Sequence, residues 1–332
     1  MFRNELIELI QYAPTTEQVH AIPQLTIPPQ INKMYINDLS PEKSVVKYQL
    51  DNGIQPFVIS WKNPTKEQGH WGMDDYIASC IKALDVVCAV SGSDTVNVSS
   101  ACSGGQTGAI LASKLAERGD KRIGAMTFMV TVLHPKQNDI EAGALMSANG
   151  LELAKRRAAK KGIVKGNDLA RGFAWLRPND LIWNYWVNNY LLGKKPAPFD
   201  ILFWNADTTR MTAGLHRDFL QMGVTNGLVR PGGVTMLGSP VDLSLVDRDS
   251  YLVAGVTDHI CPWTSCYRST QLLGGNNRFV LSTSGHIAGI VNPPGPKPKH
   301  WTNAAHPVDP QEWKDTAQLQ DGTWWEDWAI WA

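Results

Sequence analysis

The stretch NVSSACSGGQTGAILASKL, residues 97–115, decides the fold. It opens on small and β-branched residues that continue from Val96, and it closes on the alanine, isoleucine and leucine of a helix. A cysteine ringed by serine and glycine stands between the two. Strand, sharp turn and helix in immediate succession form a nucleophile elbow, which lifts one side chain above the end of a sheet and needs small residues on both sides of the turn. Val96, Val98 and Ser99 supply the strand, Cys102 the apex, and Gly104 with Gly105 the exit; Ser100 stands where glycine is usual. Two readings of Cys102 stay open: a nucleophile, its thiolate and an oxyanion favoured by the helix amides with the Ser103 N–H first in line, or a small buried thiol acting as a hydrophobe.

Outward from the elbow, short apolar runs alternate with helical patterns, the signature of βα units and a mainly parallel sheet. Strands are expected at residues 23–29, 55–61, 95–100, 124–133, 250–256 and 278–283, and helices at 74–91, 103–118 and 263–273. The rhythm fails between 134 and 235, where LELAKRRAAKK, FAWLRPNDLIWNYWVNNYLLG and KKPAPFD give basic helix, aromatic residues and proline punctuation without a strand of convincing length. An insertion of that kind between two strands of one sheet reads as a helical cap over the carboxyl edge, where open α/β sheets place their sites. The expected division is a core of residues 1–133 and 236–332 with a cap of 134–235. The basic run reads as a solvated helix face or as a contact for an anionic group.

A cysteine nucleophile needs a base. YLVAGVTDHICPW sets Asp258 just past one expected strand, and FVLSTSGHIAGIVNPP sets His286 just past the next. Cysteine, then acid, then histidine is the chain order of the α/β-hydrolase fold, with the cap between nucleophile and acid. His259 follows the acid directly and reads as a local hydrogen-bonding support; His134, His216, His300 and His306 read as surface or structural residues. After the first strand of that fold, the loop gives a second oxyanion amide, from Gln30 or Ile31 here, with Asn32 and Asp38 as polar supports; turn and helix-cap chemistry explains the same residues.

Composition excludes several classes. In 332 residues, 31 Lys and Arg balance 31 Asp and Glu, with no long basic block for nucleic acid. Five scattered cysteines argue for reduced thiols in a cytosol rather than a disulfide framework. Cys261 and Cys266 lack a second ligand pair at zinc-finger spacing, and Cys80 and Cys88 share an apolar helical face, so no metal is expected. MFRNELIELI does not read as a signal peptide, and no apolar run reaches the roughly 20 residues of a membrane span. TWWEDWAIW, holding four of the 13 tryptophans, reads as a terminal helix docked on the core or as a hydrophobic partner surface.

Eight blocks in order, INKMYINDLSPEKS, VISWKNPT, ACSGG, LRPNDLIWNYWVNNYLLG, FDILFWNADTTR, DHICPW, SGHIAGIVNPP and KHWTN, resemble the catalytic domain of the polyhydroxyalkanoate synthases. The resemblance runs from about residue 4 to 331 and implies polymerisation of (R)-3-hydroxyacyl-CoA with release of coenzyme A, and no further cofactor. By that resemblance Cys102 matches the acyl-carrying cysteine, Asp258 the aspartate and His286 the histidine, while Trp183 falls in the cap and dimer-contact block. It further implies a homodimer at the surface of cytoplasmic polymer granules. Family members carry an additional N-terminal domain, and this chain is expected to lack it. Ser100 departs from the family's glycine, which bears on the elbow's geometry and rate. LIWNYWVNNYLLG and FWNADTTR look like medium-chain synthases and GHIAGIVNPP like short-chain ones, so monomer length stays open. A cysteine thioesterase or lactone hydrolase of the same fold, and a non-catalytic assembly module, are the rival readings.

Overall fold

The six β-rich runs become the parallel heart of one ten-stranded sheet. A computed structural model describes residues 2–136, 148–176, 183, 186–195 and 200–332. In chain order the strands are β1 (Phe2–Arg3), β2 (Ile7–Gln11), β3 (Gln24–Ile27), β4 (Pro56–Trp61), β5 (Val96–Ala101), β6 (Ile123–Met129), β7 (Ser250–Gly255), β8 (Asn277–Ser282), β9 (Lys299–Thr302) and β10 (Gln318–Asp321). Their spatial order is β1-β2-β4-β3-β5-β6-β7-β8-β9-β10. From β4 to β8 every pairing is parallel, and antiparallel strands finish both edges.

The edge strands are absent from the sequence reading, although β2 carries the alternation that half-buried strands require, with Ile7 and Leu9 buried and Glu8 exposed. The strand expected to run to residue 133 stops at Met129, because Val130 turns to a φ of +44°, a region hostile to a β-branched side chain. The expected helix at 263–273 divides into α8 (Trp263–Arg268) and a 3₁₀ turn over Ser269–Gln271.

Alternation along β6 shows how the sheet is covered. Met126 points toward α3 (Ser103–Glu117), whose Gly108 lies near its Cε, and α3 packs against α2 (Met73–Ser91). Thr127 points the other way and accepts, at its Oγ1, the Trp328 Nε1–H at 2.9 Å. Trp328 belongs to α10 (Trp324–Trp331), which starts on a capping box formed by Thr323 and Glu326. Trp324, Trp325 and Trp328 are buried, Trp325 donates to the Ile290 carbonyl at 3.0 Å, and its ring meets Tyr48 of α1 (Val45–Asp51). Of the two readings of TWWEDWAIW, the docked helix holds; a partner surface is not what these three side chains form.

Between β6 and β7 lie α4 (Ala148–Lys161), α5 (Gly166–Leu176), a π-helical turn (Trp186–Leu191), α6 (Asp200–Ala206) and α7 (Ala213–Thr225). Two ribbons of two-residue strands accompany them, Ile163–Val164 with Met211–Thr212 and Thr235–Met236 with Ser239–Pro240. α7 packs on α4 and on α2, and Asp218 Oδ2 accepts the Met73 N–H at 2.8 Å, serving an orphan donor in the first turn of α2. The second ribbon is pinned to α3 by Lys114, a wholly buried lysine. Its ammonium donates to Glu117 Oε2 at 2.6 Å, to Ser239 Oγ and O at 2.6 and 3.0 Å, and to the Pro240 carbonyl at 2.8 Å.

Candidate active site

Three loops at the carboxyl end of the sheet bring the site together. β5 ends at Ala101, and Cys102 takes φ +50° and ψ −119° before α3 begins. A non-glycine residue at positive φ is strained and needs its surroundings to hold it. Here the Cys102 N–H donates to the Met129 carbonyl at 3.0 Å, tying the apex to the end of the neighbouring strand. Gly104 is required by close approach: a Cβ there would lie 2.5 Å from the Ile27 oxygen and 2.6 Å from that of Pro28.

Ser100, which replaces the usual elbow glycine, is fully buried and donates from Oγ to the Thr127 carbonyl at 3.3 Å. Its side chain occupies space left by Gly108, where a Cβ would come 3.0 Å from Ser100 Oγ. The small residue the turn needs has therefore moved from the strand to the facing helix.

Asp258 follows β7 in a tight turn and is almost wholly buried. Its Oδ1 accepts the N–H groups of Ile260 and Cys261 at 2.8 and 2.9 Å, and its Oδ2 lies 2.7 Å from His286 Nδ1. With both oxygens engaged, the carboxylate fixes the imidazole, which begins the short helix α9 (His286–Ile290) beyond β8. Cys102 Sγ, Cys261 Sγ and a ring nitrogen of His286 all lie within 4.8 Å of one another.

The electrostatics favour a charged pair. The Cys261 thiol hydrogen-bonds the Cys102 sulfur and, against the opposing effect of burial, joins the bonded and charged His286 in holding Cys102 well below the ordinary thiol range. Burial works against the imidazolium, but the charge and hydrogen bond of Asp258, with Cys102 beside it, push His286 up to about 10. Cys261 moves the other way, raised by its bond to Cys102 and by burial. These directions favour a Cys102 thiolate beside a His286 imidazolium, the form of a cysteine ready to attack.

The remaining sequence candidates fall at varying distances from this chemistry. Ser103 opens α3 immediately after the nucleophile, and its Oγ is buried without a partner among the described residues. Ile31 lies in the loop after β3, where its carbonyl accepts the Thr209 N–H at 3.2 Å and hydroxyl at 2.8 Å. Gln30 donates from Nε2 to Thr107 of α3 at 2.8 Å, and Asn32 forms an isolated β-bridge with Thr208. Asp38 accepts the Ser44 hydroxyl at 2.7 Å beside the start of α1, a capping arrangement apart from the triad. His259 is half-buried in the bend after Asp258. Trp183 is 50% exposed on the insertion. The sequence reading missed Cys261 as a neighbour of the nucleophile; the available signal was its position three residues after the acid, in the turn that the acid organises.

Comparison with known proteins agrees with this geometry. Residues 35–293 match the alpha/beta hydrolase fold model, and residues 1–49 match the model for the N-terminus of poly-beta-hydroxybutyrate polymerase (PhaC). Over its whole length the chain is 49% identical to poly(3-hydroxyalkanoate) polymerase 1 of Ectopseudomonas oleovorans, of which it covers 59%. It is 41% identical to poly(3-hydroxyalkanoate) polymerase subunit PhaC of Cupriavidus necator, again over the whole chain, and covers 57% of that protein. The chain thus spans less than two thirds of the length of these relatives. A hydrolase from Pseudomonas aeruginosa superposes with a TM-score of 0.51 at 13% identity, covering 86% of this chain and 88% of that one, a likeness of fold alone. Elbow, parallel sheet, chain order and the match over residues 35–293 together make one conclusion unavoidable: the chain belongs to the alpha/beta hydrolase fold family.

Proposed function

We propose that this chain polymerises (R)-3-hydroxyacyl-CoA thioesters into polyhydroxyalkanoate, releasing coenzyme A, through an acyl enzyme on Cys102. The observation that carries the proposal is the convergence of Cys102, His286 and Asp258 in a chain 49% identical over its full length to a poly(3-hydroxyalkanoate) polymerase. The Cys102 thiolate attacks the thioester carbonyl, and the backbone N–H of Ser103 and an amide of the Gln30–Ile31 loop receive the oxyanion. The C–S bond to coenzyme A breaks, and the departing thiolate takes the His286 proton. Neutral His286, oriented by Asp258, then removes the proton of a 3-hydroxyl as that oxygen attacks the thioester carbonyl of the next acyl group, whose C–S bond breaks to leave the new ester and a thiolate. One thiolate replaces another in the first transfer, so the acyl group stays activated for the hydroxyl, and no cofactor is required.

Residues 134–235 act as a cap that keeps water from the acyl enzyme, over a core of residues 1–133 and 236–332. Trp183, Trp186, Tyr190 and Phe203 expose large apolar surface on that insertion, which favours a second copy of the chain or the polymer surface as its cover. The protein would then work as a homodimer on cytoplasmic granules. Among the described residues no helix is long and apolar enough to cross a membrane, in keeping with that location.

The test supplies (R)-3-hydroxybutyryl-CoA and a medium-chain homologue to the purified protein and to Cys102→Ala, recording free thiol and chloroform-soluble polymer. Thiol release with polymer is expected, and the variant loses both by more than about a thousandfold. Thiol release yielding only free hydroxy acid overturns the polymerase in favour of a hydrolase. Full activity in the variant removes Cys102 from the chemistry.

A further inference from the structure

Acyl transfer uses one thiol, yet two stand at the site. Cys261 is buried, its sulfur sits with Cys102 Sγ and the His286 ring within 4.8 Å, and no step proposed above employs it. We infer that Cys102, Cys261 and His286 form a three-ligand site for a thiophilic divalent cation of the Zn²⁺ or Cd²⁺ class. Two sulfurs and one imidazole nitrogen are the donors such an ion selects, at about 2.3 Å for sulfur and about 2.0 Å for nitrogen, so tetrahedral binding requires only a modest contraction of the present spacing.

The surroundings suit an ion as well as the donors do. Asp258 holds His286 Nδ1 at 2.7 Å, which leaves Nε2 as the nitrogen to ligate once its proton is lost, and carboxylate, imidazole and metal in line are a recurrent ligand arrangement. The two sulfurs stand on rigid supports: Cys102 is fixed by its N–H to Met129, and Cys261 by its N–H to Asp258 Oδ1 at 2.9 Å. Cys102 is partly exposed, which leaves solvent a path to the site for a fourth ligand. As the ion binds, the Nε2 proton of the His286 imidazolium and any proton still on a ligating thiol pass to solvent, and two sulfur–metal bonds and one nitrogen–metal bond form, with no change in oxidation state. Occupancy ties up the sulfur that would carry the acyl group. That inhibition depends on the function proposed above; binding of the ion does not.

Cd²⁺ alone, added to the reduced and desalted protein, is the probe. One ion per chain is expected, with an ultraviolet sulfur-to-cadmium charge-transfer band. Cys261→Ser weakens binding by more than about a hundredfold, Asp258→Asn by about tenfold to a hundredfold, and Cys88→Ala leaves it unchanged. X-ray absorption on the unaltered chain reads the ligand set independently of how any variant folds: two sulfurs and at least one nitrogen support the site. One sulfur or none overturns it, as does undiminished binding by folded Cys261→Ser. Loss of polymer formation in the metal-free protein bears on the proposed function and leaves this result standing.

Discussion

At the scale of single residues, the site is a balance of charges that pH can tip from either side. The acylation proposed above needs Cys102 as thiolate and His286 as imidazolium, the second to protonate the leaving group. As pH falls through the depressed value of Cys102 the thiolate takes a proton, and as pH rises through about 10 the imidazolium gives one up. A bell-shaped rate of coenzyme A release is therefore expected, its acid limb well below the ordinary thiol value of about 8.5. Iodoacetamide labelling of Cys102, followed by peptide mass, shows the acid limb alone; in His286→Ala it moves upward, toward the ordinary thiol. The meeting of Cys102, Asp258 and His286 was legible because each follows an apolar strand in the right order. The second thiol was legible only as a position three residues after the acid, since DHICPW does not tell which way the turn will aim a side chain.

At the scale of elements, the elbow depends on how closely α3 approaches the ends of β3 and β5. Gly104→Ala sets a methyl against two backbone oxygens that have no room to yield, and overpacking of this kind costs about 1–3 kcal/mol or more. Lower stability in urea and slower Cys102 labelling are expected together, because the same displacement moves the nucleophile. Ser100 and Gly108 form a complementary pair. Gly108→Ala alone gains up to about 1 kcal/mol in helix propensity and loses it to the crowded serine. In the Ser100→Gly background the same change becomes stabilising, and a double-mutant cycle in urea should yield a coupling of about 0.5–3 kcal/mol. The parallel strands were readable as fully buried runs, for which periodicity matters little. The edge strands escaped because they are short and exposed on one face, and β10 has all four residues exposed. Lys114 gave no signal at all, since a buried lysine is legible only once the carbonyls around it have been brought there by the ribbon of Thr235–Pro240.

At the scale of the whole molecule, the last helix seals one face of the sheet and the insertion fastens the other end. Trp328→Ala removes a buried ring that both fills the core and bonds Thr127, and a loss of about 3–5 kcal/mol is expected in chemical denaturation. Asp218→Ala removes the acceptor for the first turn of α2, with an expected loss of about 1 kcal/mol and faster amide exchange where α7 meets α2. The insertion is also latched to the loop after β3. Thr209 Oγ1 donates to the carbonyls of Gln30 and Ile31, Trp204 Nε1 to that of Lys33 at 2.7 Å, and Tyr35 donates to Asp207 at 3.0 Å. That loop is the one from which the second oxyanion amide is proposed to come, so two tasks share a single hinge. Under the proposed function, a sequence change that slackens the latch to admit a longer acyl tail would also loosen the grip on the carbonyl being attacked. Breadth of diet and speed of turnover in such a chain are then mechanically opposed, and lineages that widened one would be expected to rebuild the other.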